Sequence, residues 1–138
     1  MGRKEARNAA FTVLYQTEIQ KCPASEVLEM YYRENKVGTK DKEYINDVVE
    51  GTIKNIEQID SFISKGSKSW SLSRISKIDK AALRLALYEI FYREDIPDSI
   101  SIFEAVELVK QYDSEEAGGF VNGILRGILR TNKDTEEK

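Results

Sequence analysis

The stretch Ile78–Tyr92, IDKAALRLALYEIFY, limits what this chain can fold into more than any other. Eleven of its fifteen residues are apolar or aromatic, and Asp79, Lys80, Arg84 and Glu89 are its only charges. At about 3.6 residues per turn the apolar positions do not form one stripe, because Leu83 and Leu87 face away from Ile78, Ala82 and Leu85. A helix apolar on nearly all sides must be surrounded by other elements. It is too short and too charged for a membrane span, which takes about 20 residues. The stretch is therefore expected to be the central helix of a soluble bundle.

The flanking chain supplies the surround. Ala6, Ala10, Val13 and Leu14 predict a first helix over 3–20, and Cys22-Pro23 ends it. A second helix is expected over about 24–34. Ile45, Val48, Val49, Thr52, Ile53, Ile56, Ile59 and Ile63 predict one long helix from Thr39 to about Ser64. Trp70, in the connector that follows, is expected to plug the junction between two helical layers. Ser76 with Asp79 resembles a capping box opening the central helix, and Ser101 with Glu104 another opening the next. The last helix is expected over about 116–130. Gly119, Gly123 and Gly127 fall four apart on one face of it, which suggests a neighbouring backbone or ligand packed close. No stretch alternates with the period of a strand. The expected fold is an all-α single domain over 1–138, a bundle of six or seven helices. Its two lobes would span about 1–66 and about 67–133, ahead of a short acidic tail.

Composition excludes several function classes. The chain has no histidine, which removes histidine-assisted nucleophilic catalysis, and its one cysteine, Cys22, leaves too few soft ligands for structural zinc. No glycine-rich loop joins a strand to a helix, so no nucleotide cofactor is implied. With no apolar run of membrane length and no signal segment, the cytoplasm is expected. Glu89 on the buried helix is expected to pair with a core or boundary cation rather than to work as an acid. The net charge of −3 conceals segregation, with +5 over residues 65–84 and −7 over residues 85–117. A basic face for a polyanion and an acidic face for something else would produce this, as would solvated helix faces. Of the aromatics, Tyr15 and Phe120 are the candidates for stacking on bases; Tyr31, Tyr32, Tyr88 and Tyr92 are expected in the core.

The string LSRISKIDKAALRLALYEIFYREDIP, followed by ISIFEAVELVKQY and FVNGIL, resembles the NusB family of bacterial transcription antitermination factors. ARNAAFTVLYQTEI near the start and EYINDVVEGTIKNIEQIDSFI in the middle extend the likeness, in order, over about residues 3–130. The resemblance implies an all-helical, non-enzymatic protein without cofactor. It implies binding to boxA RNA of nascent ribosomal transcripts with NusE, a small-subunit ribosomal protein, and joining of RNA polymerase. Free family members are monomers or homodimers. Carried over by position, Arg3, Lys4, Arg7, Tyr15, Phe120 and Asn122 would meet RNA, with Arg84 of the L-R-L-A motif added to that set. Asp79 and Glu116 would lie toward NusE. Three positions depart from the family pattern: Gly119 stands where a basic residue usually precedes F-V-N-G, Phe103 replaces a frequent Asn, and Arg126 replaces a frequent acidic residue. The loss at Gly119 implies RNA binding that is weak alone and strengthened by the partner. Two other readings remain open: a protein-interaction adaptor without RNA binding, and the N-terminal domain of a ribosomal RNA cytosine methyltransferase.

Overall fold

The computed structural model describes residues 2–67 and 71–136. Among them are seven α-helices: α1 (Arg3–Gln20), α2 (Ala24–Glu34), α3 (Thr39–Lys54), α4 (Ile56–Gly66), α5 (Lys77–Tyr92), α6 (Asp98–Tyr112) and α7 (Glu115–Glu136). A 3-10 turn at Leu72–Arg74 precedes α5, and no strand occurs among the described residues. None of these helices is long and apolar enough to cross a membrane.

The all-α expectation holds, and so does the central position of the apolar stretch. α5 is packed by α1, α3, α4, α6 and α7. Leu83 and Leu87, on the side opposite Ala82 and Leu85, are buried as completely as those two. At about 1.5–3 kcal/mol for each large apolar side chain removed from water, this helix is a main source of cohesion. The Ser76 hydroxyl accepts the Asp79 amide at 3.1 Å and so caps the helix as its sequence predicts.

The long helix expected from Thr39 is two helices. The chain breaks at Asn55, whose backbone and side-chain nitrogens both donate to the Gly51 carbonyl, at 3.0 and 2.8 Å. An Asn side chain competes in this way for the groups that would continue a helix. The break lets α4 leave α3 and lie on α5 and α7. Val48 and Val49 before it and Ile59 and Ile63 after it are all fully buried, so the apolar period runs on through the bend and does not reveal it. Ile53 is the exception, turned outward and 38% exposed. The chain therefore changes sides at Asn55, ahead of the connector; Trp70, expected to mark that junction, lies outside the described residues.

Two more expectations are corrected. α6 begins at Asp98, after Pro97, so Ser101 is inside the helix and turns its hydroxyl to the core instead of capping. A methyl group added at Gly119, Gly123 or Gly127 would meet nothing within 4 Å, so no neighbouring backbone among the described residues packs close on that face of α7. The tight glycines are Gly51, where an added methyl would fall 2.3 Å from the Tyr88 ring, Gly66, 2.5 Å from Ile128, and Gly118, 2.9 Å from Lys110.

Candidate functional site

The N-terminal cations share the first two turns of α1: at about 100° per residue Arg3 and Arg7 stand on nearly the same face and Lys4 on the next. Arg3 lies over the Tyr44 ring, 4.4 Å from its centroid, on the α3 side. Lys4 points to α6, where it lines a cleft of about 340 Å³ with Asn8, Glu107, Lys110, Gln111 and Glu115. Arg7 turns inward and is 4% exposed. Its Nε donates to Glu89 Oε2 at 3.0 Å and to Oε1 at 3.3 Å.

Glu89, 0% exposed, also accepts the Tyr44 hydroxyl at Oε2 and the Ser101 hydroxyl at Oε1, the latter at 2.8 Å. One carboxylate thus joins α1, α3, α5 and α6. Burial opposes the charge on Arg7, but the carboxylate beside it outweighs this and raises the guanidinium above its ordinary pKa. Burial and then Glu89 push the Tyr44 phenol far above its usual range. Glu89 has the core cation expected for it. Arg7 is accordingly corrected from an RNA contact to a structural group: withdrawing its charge would leave Glu89 buried without a counter-charge.

Arg84 is corrected for the same reason. It grips Asp60 with two parallel bonds of 2.8 and 2.9 Å, and its Nη1 reaches Glu18 at 3.3 Å. Lys80 shares Glu18 at 3.8 Å. Much of the positive charge over residues 65–84 is therefore spent tying α5 to α1 and α4, and Arg74, Lys65 and Lys77 are the exposed remainder among the described residues.

The other candidates gather where α6 ends and α7 begins. A groove of about 350 Å³ is lined by Arg74, Ser76, Asp79, Asp113, Glu116 and Phe120 among others. Ser114 at its edge caps α7 by accepting the Ala117 amide at 3.1 Å. The groove therefore brings together Asp79 and Glu116, expected to face a protein, with Phe120, expected to face RNA. It adjoins the Lys4 cleft through the first turn of α7, since Glu115 lines one and Glu116 the other. Asn122 accepts from Arg126 Nε at 3.0 Å, which draws that arginine back along α7 toward the F-V-N-G segment. Tyr15 is half-buried one turn beyond Phe11 on α1.

Sequence reasoning missed Tyr112. Its ring stacks on Phe11 with centroids 5.3 Å apart, its hydroxyl donates to Asn8 at 3.0 Å, and it remains 42% exposed. It ties the end of α6 to α1 through Asn8, which lines the Lys4 cleft. In the sequence it fits the apolar face of α6, which hides its exposure. Tyr88 is in the core as expected, with its hydroxyl donating to Asp47 at 2.9 Å, and burial raises that phenol to about 12; Tyr92, expected there too, is instead 39% exposed at the end of α5.

Asp79 is the one strongly perturbed carboxyl of the corner. Burial lifts it to about 7, the hydrogen bond and negative charge of Asp113 add to this, and the bond from Ser76 works against it.

Comparison with known proteins is consistent across the chain. The NusB family model matches residues 4–130. The transcription antitermination protein NusB of Acetivibrio thermocellus is 49% identical over 130 residues, covering 94% of this chain and 90% of that protein. The NusB of Clostridium acetobutylicum is 41% identical over 134 residues, covering 97% and 99%. Among solved structures, T. maritima NusB superposes with a TM-score of 0.88 at 37% identity, covering 94% of this chain and 92% of that one. A complex of antitermination factors NusB and NusE with double-stranded RNA gives 0.86 at 32% identity, covering 94% and 96%.

Proposed function

The chain belongs to the NusB family, and from that premise we propose that it binds boxA-type single-stranded RNA of nascent ribosomal transcripts together with NusE. It is a transcription antitermination factor and not an enzyme. In this reading it works in the cytoplasm and carries the RNA–NusE assembly to elongating RNA polymerase.

The observation that carries the reading is the α6–α7 corner. Lys4 of α1 lines one cleft there and Phe120 of α7 the other, and Tyr112 of α6 is hydrogen-bonded to Asn8 of the first. Cations on a phosphate backbone supply salt-dependent affinity, and aromatic rings take unstacked bases. Lys4 and Arg3 are assigned to phosphates, and Tyr15, Tyr112 and Phe120 to bases. Asn122 presents a base-edge partner next to Arg126, which with Arg130 stands in for the basic residue missing at Gly119. The acidic side of the same groove, Asp79 and Glu116, is assigned to NusE, a basic ribosomal protein. Arg7 and Arg84 hold the scaffold.

Titration of the protein with boxA RNA, with and without NusE, tests this. Affinity should fall steeply with salt and rise when NusE is present. Binding of NusE with no contribution from RNA would instead support the adaptor reading, which the internal pairing of Arg7 and Arg84 favours.

A further inference from the structure

Within the corner groove, one oxygen has no assignment. Asp79 is 6% exposed, and no donor reaches its Oδ1 while both carboxyls of the corner are ionised. The group across from it is a second carboxyl, Asp113, at the C-terminal end of α6. Two ionised carboxylates offer each other only acceptors and mutual repulsion, so a proton is what can join them. We propose that Asp79 and Asp113 share one proton in the free protein and release it when a lysine or arginine side chain of the protein partner enters the groove, so that docking at this corner is proton-linked. The inference rests on the assignment of this groove to NusE.

The surroundings agree. From the 3-10 turn Arg74 faces the groove, and from α7 Glu116 does, so carboxylates outnumber the cation. On α5 itself Lys77 is exposed, and Lys80 is directed to Glu18 at 3.8 Å. On α6 the Tyr112 phenol is tied to Asn8. The α5 N-terminus and the Ser76 bond favour the ionised form, yet burial and Asp113 prevail and hold the carboxyl at about 7. Among the described residues no group of three or more ligating side chains could hold a metal ion. The chain contains no histidine, the ordinary side chain that titrates in this range.

The test uses NusE of Acetivibrio thermocellus and calorimetric titrations in two buffers of different ionisation enthalpy at pH 6 and 8, on wild type and Asp113→Ala. Asp113 is exposed, so the variant should keep its fold, checked by circular dichroism. At pH 6 the wild-type complex should release close to one proton. Its affinity there should be about tenfold below that at pH 8, as expected for a group at about 7 that must ionise. In Asp113→Ala burial still raises Asp79, but with the bond and charge of Asp113 gone the release should shrink and the pH effect fall well below tenfold; groups on NusE contribute equally to both proteins and cancel in the comparison. Equal wild-type affinities at the two pH values, or a variant that keeps the tenfold change, would overturn the proposal. No binding at either pH would overturn the assignment of the groove and the proposal with it. A carboxyl carbon NMR titration of the free protein addresses proton sharing by itself: no midpoint near 7 at Asp79 sinks it whatever NusE does.

Discussion

Glu89 decides more of this molecule than any residue expected to touch a ligand. It was recognisable in the sequence as a charge in an apolar helix that needed a partner. Which partner was not recognisable, because Arg7 lies 82 positions away and shares a basic run with two residues of different fate. Arg3 and Arg7 stand one turn apart on nearly the same face of α1, and their depth against the bundle, which packing fixes, separates them. Replacing Glu89 or Arg7 with Ala should cost about 3–5 kcal/mol, read by urea denaturation, because each leaves the other charge buried alone. Lys4→Ala should leave stability unchanged. The Asp79 carboxyl carries a second consequence. Its folded pKa of about 7 lies above the ordinary 3.8, so the folded chain binds more protons and the stabilisation is complete below about pH 4. That contribution is lost as pH rises through about 7. Thermal melts from pH 5 to 8 should therefore show Asp113→Ala gaining on the wild type as pH rises, since it removes the repulsion that ionisation creates.

At the scale of helices, α1, α2 and α5 were legible to within a residue or so, because each has a clear apolar set and a stop signal such as Pro23. The break at Asn55 was not, because bending leaves the apolar period intact while moving α4 from α3 onto α7. The start of α6 was misplaced because Ser101 has the spacing of a cap and the chemistry of a core donor. Glycine spacing misled as well. Gly119, Gly123 and Gly127 looked like a face for a neighbouring backbone or ligand; no described part of the chain fills it, and the crowded glycines are Gly51, Gly66 and Gly118. Gly123→Ala should therefore stabilise the protein by up to about 1 kcal/mol through helix propensity alone. Gly51→Ala should destabilise it, since its methyl would fall 2.3 Å from the Tyr88 ring. Paired melts of the two variants check this, and a loss at both positions would mean that the open face of α7 is covered.

For the molecule as a whole, segregated charge was visible in the sequence, but its use was only half visible. Part of the positive run ties helices together, and of its exposed remainder Arg74 lines the α6–α7 groove, next to the carboxylates. An RNA strand over Lys4, Tyr112 and Phe120 would then run beside a protein on Asp79 and Glu116, and each ligand would hold one side of the same turn. Binding sites that adjoin in this way are expected to be coupled, and coupling is reciprocal. NusE should raise the RNA affinity by some factor, and saturating RNA should raise the NusE affinity by that same factor. Phe120→Ala should weaken RNA by about 1–3 kcal/mol, the worth of one stacked base, while sparing NusE binding in the absence of RNA. Lys4→Ala should lower the slope of affinity against salt by about 0.7, the single-strand share of one phosphate contact. Fluorescence titrations of both ligands against wild type and the two variants measure every term. If RNA and NusE bind independently, with the affinity of each unmoved by the other, the corner is two separate surfaces and the weak basic track would have to hold RNA unaided.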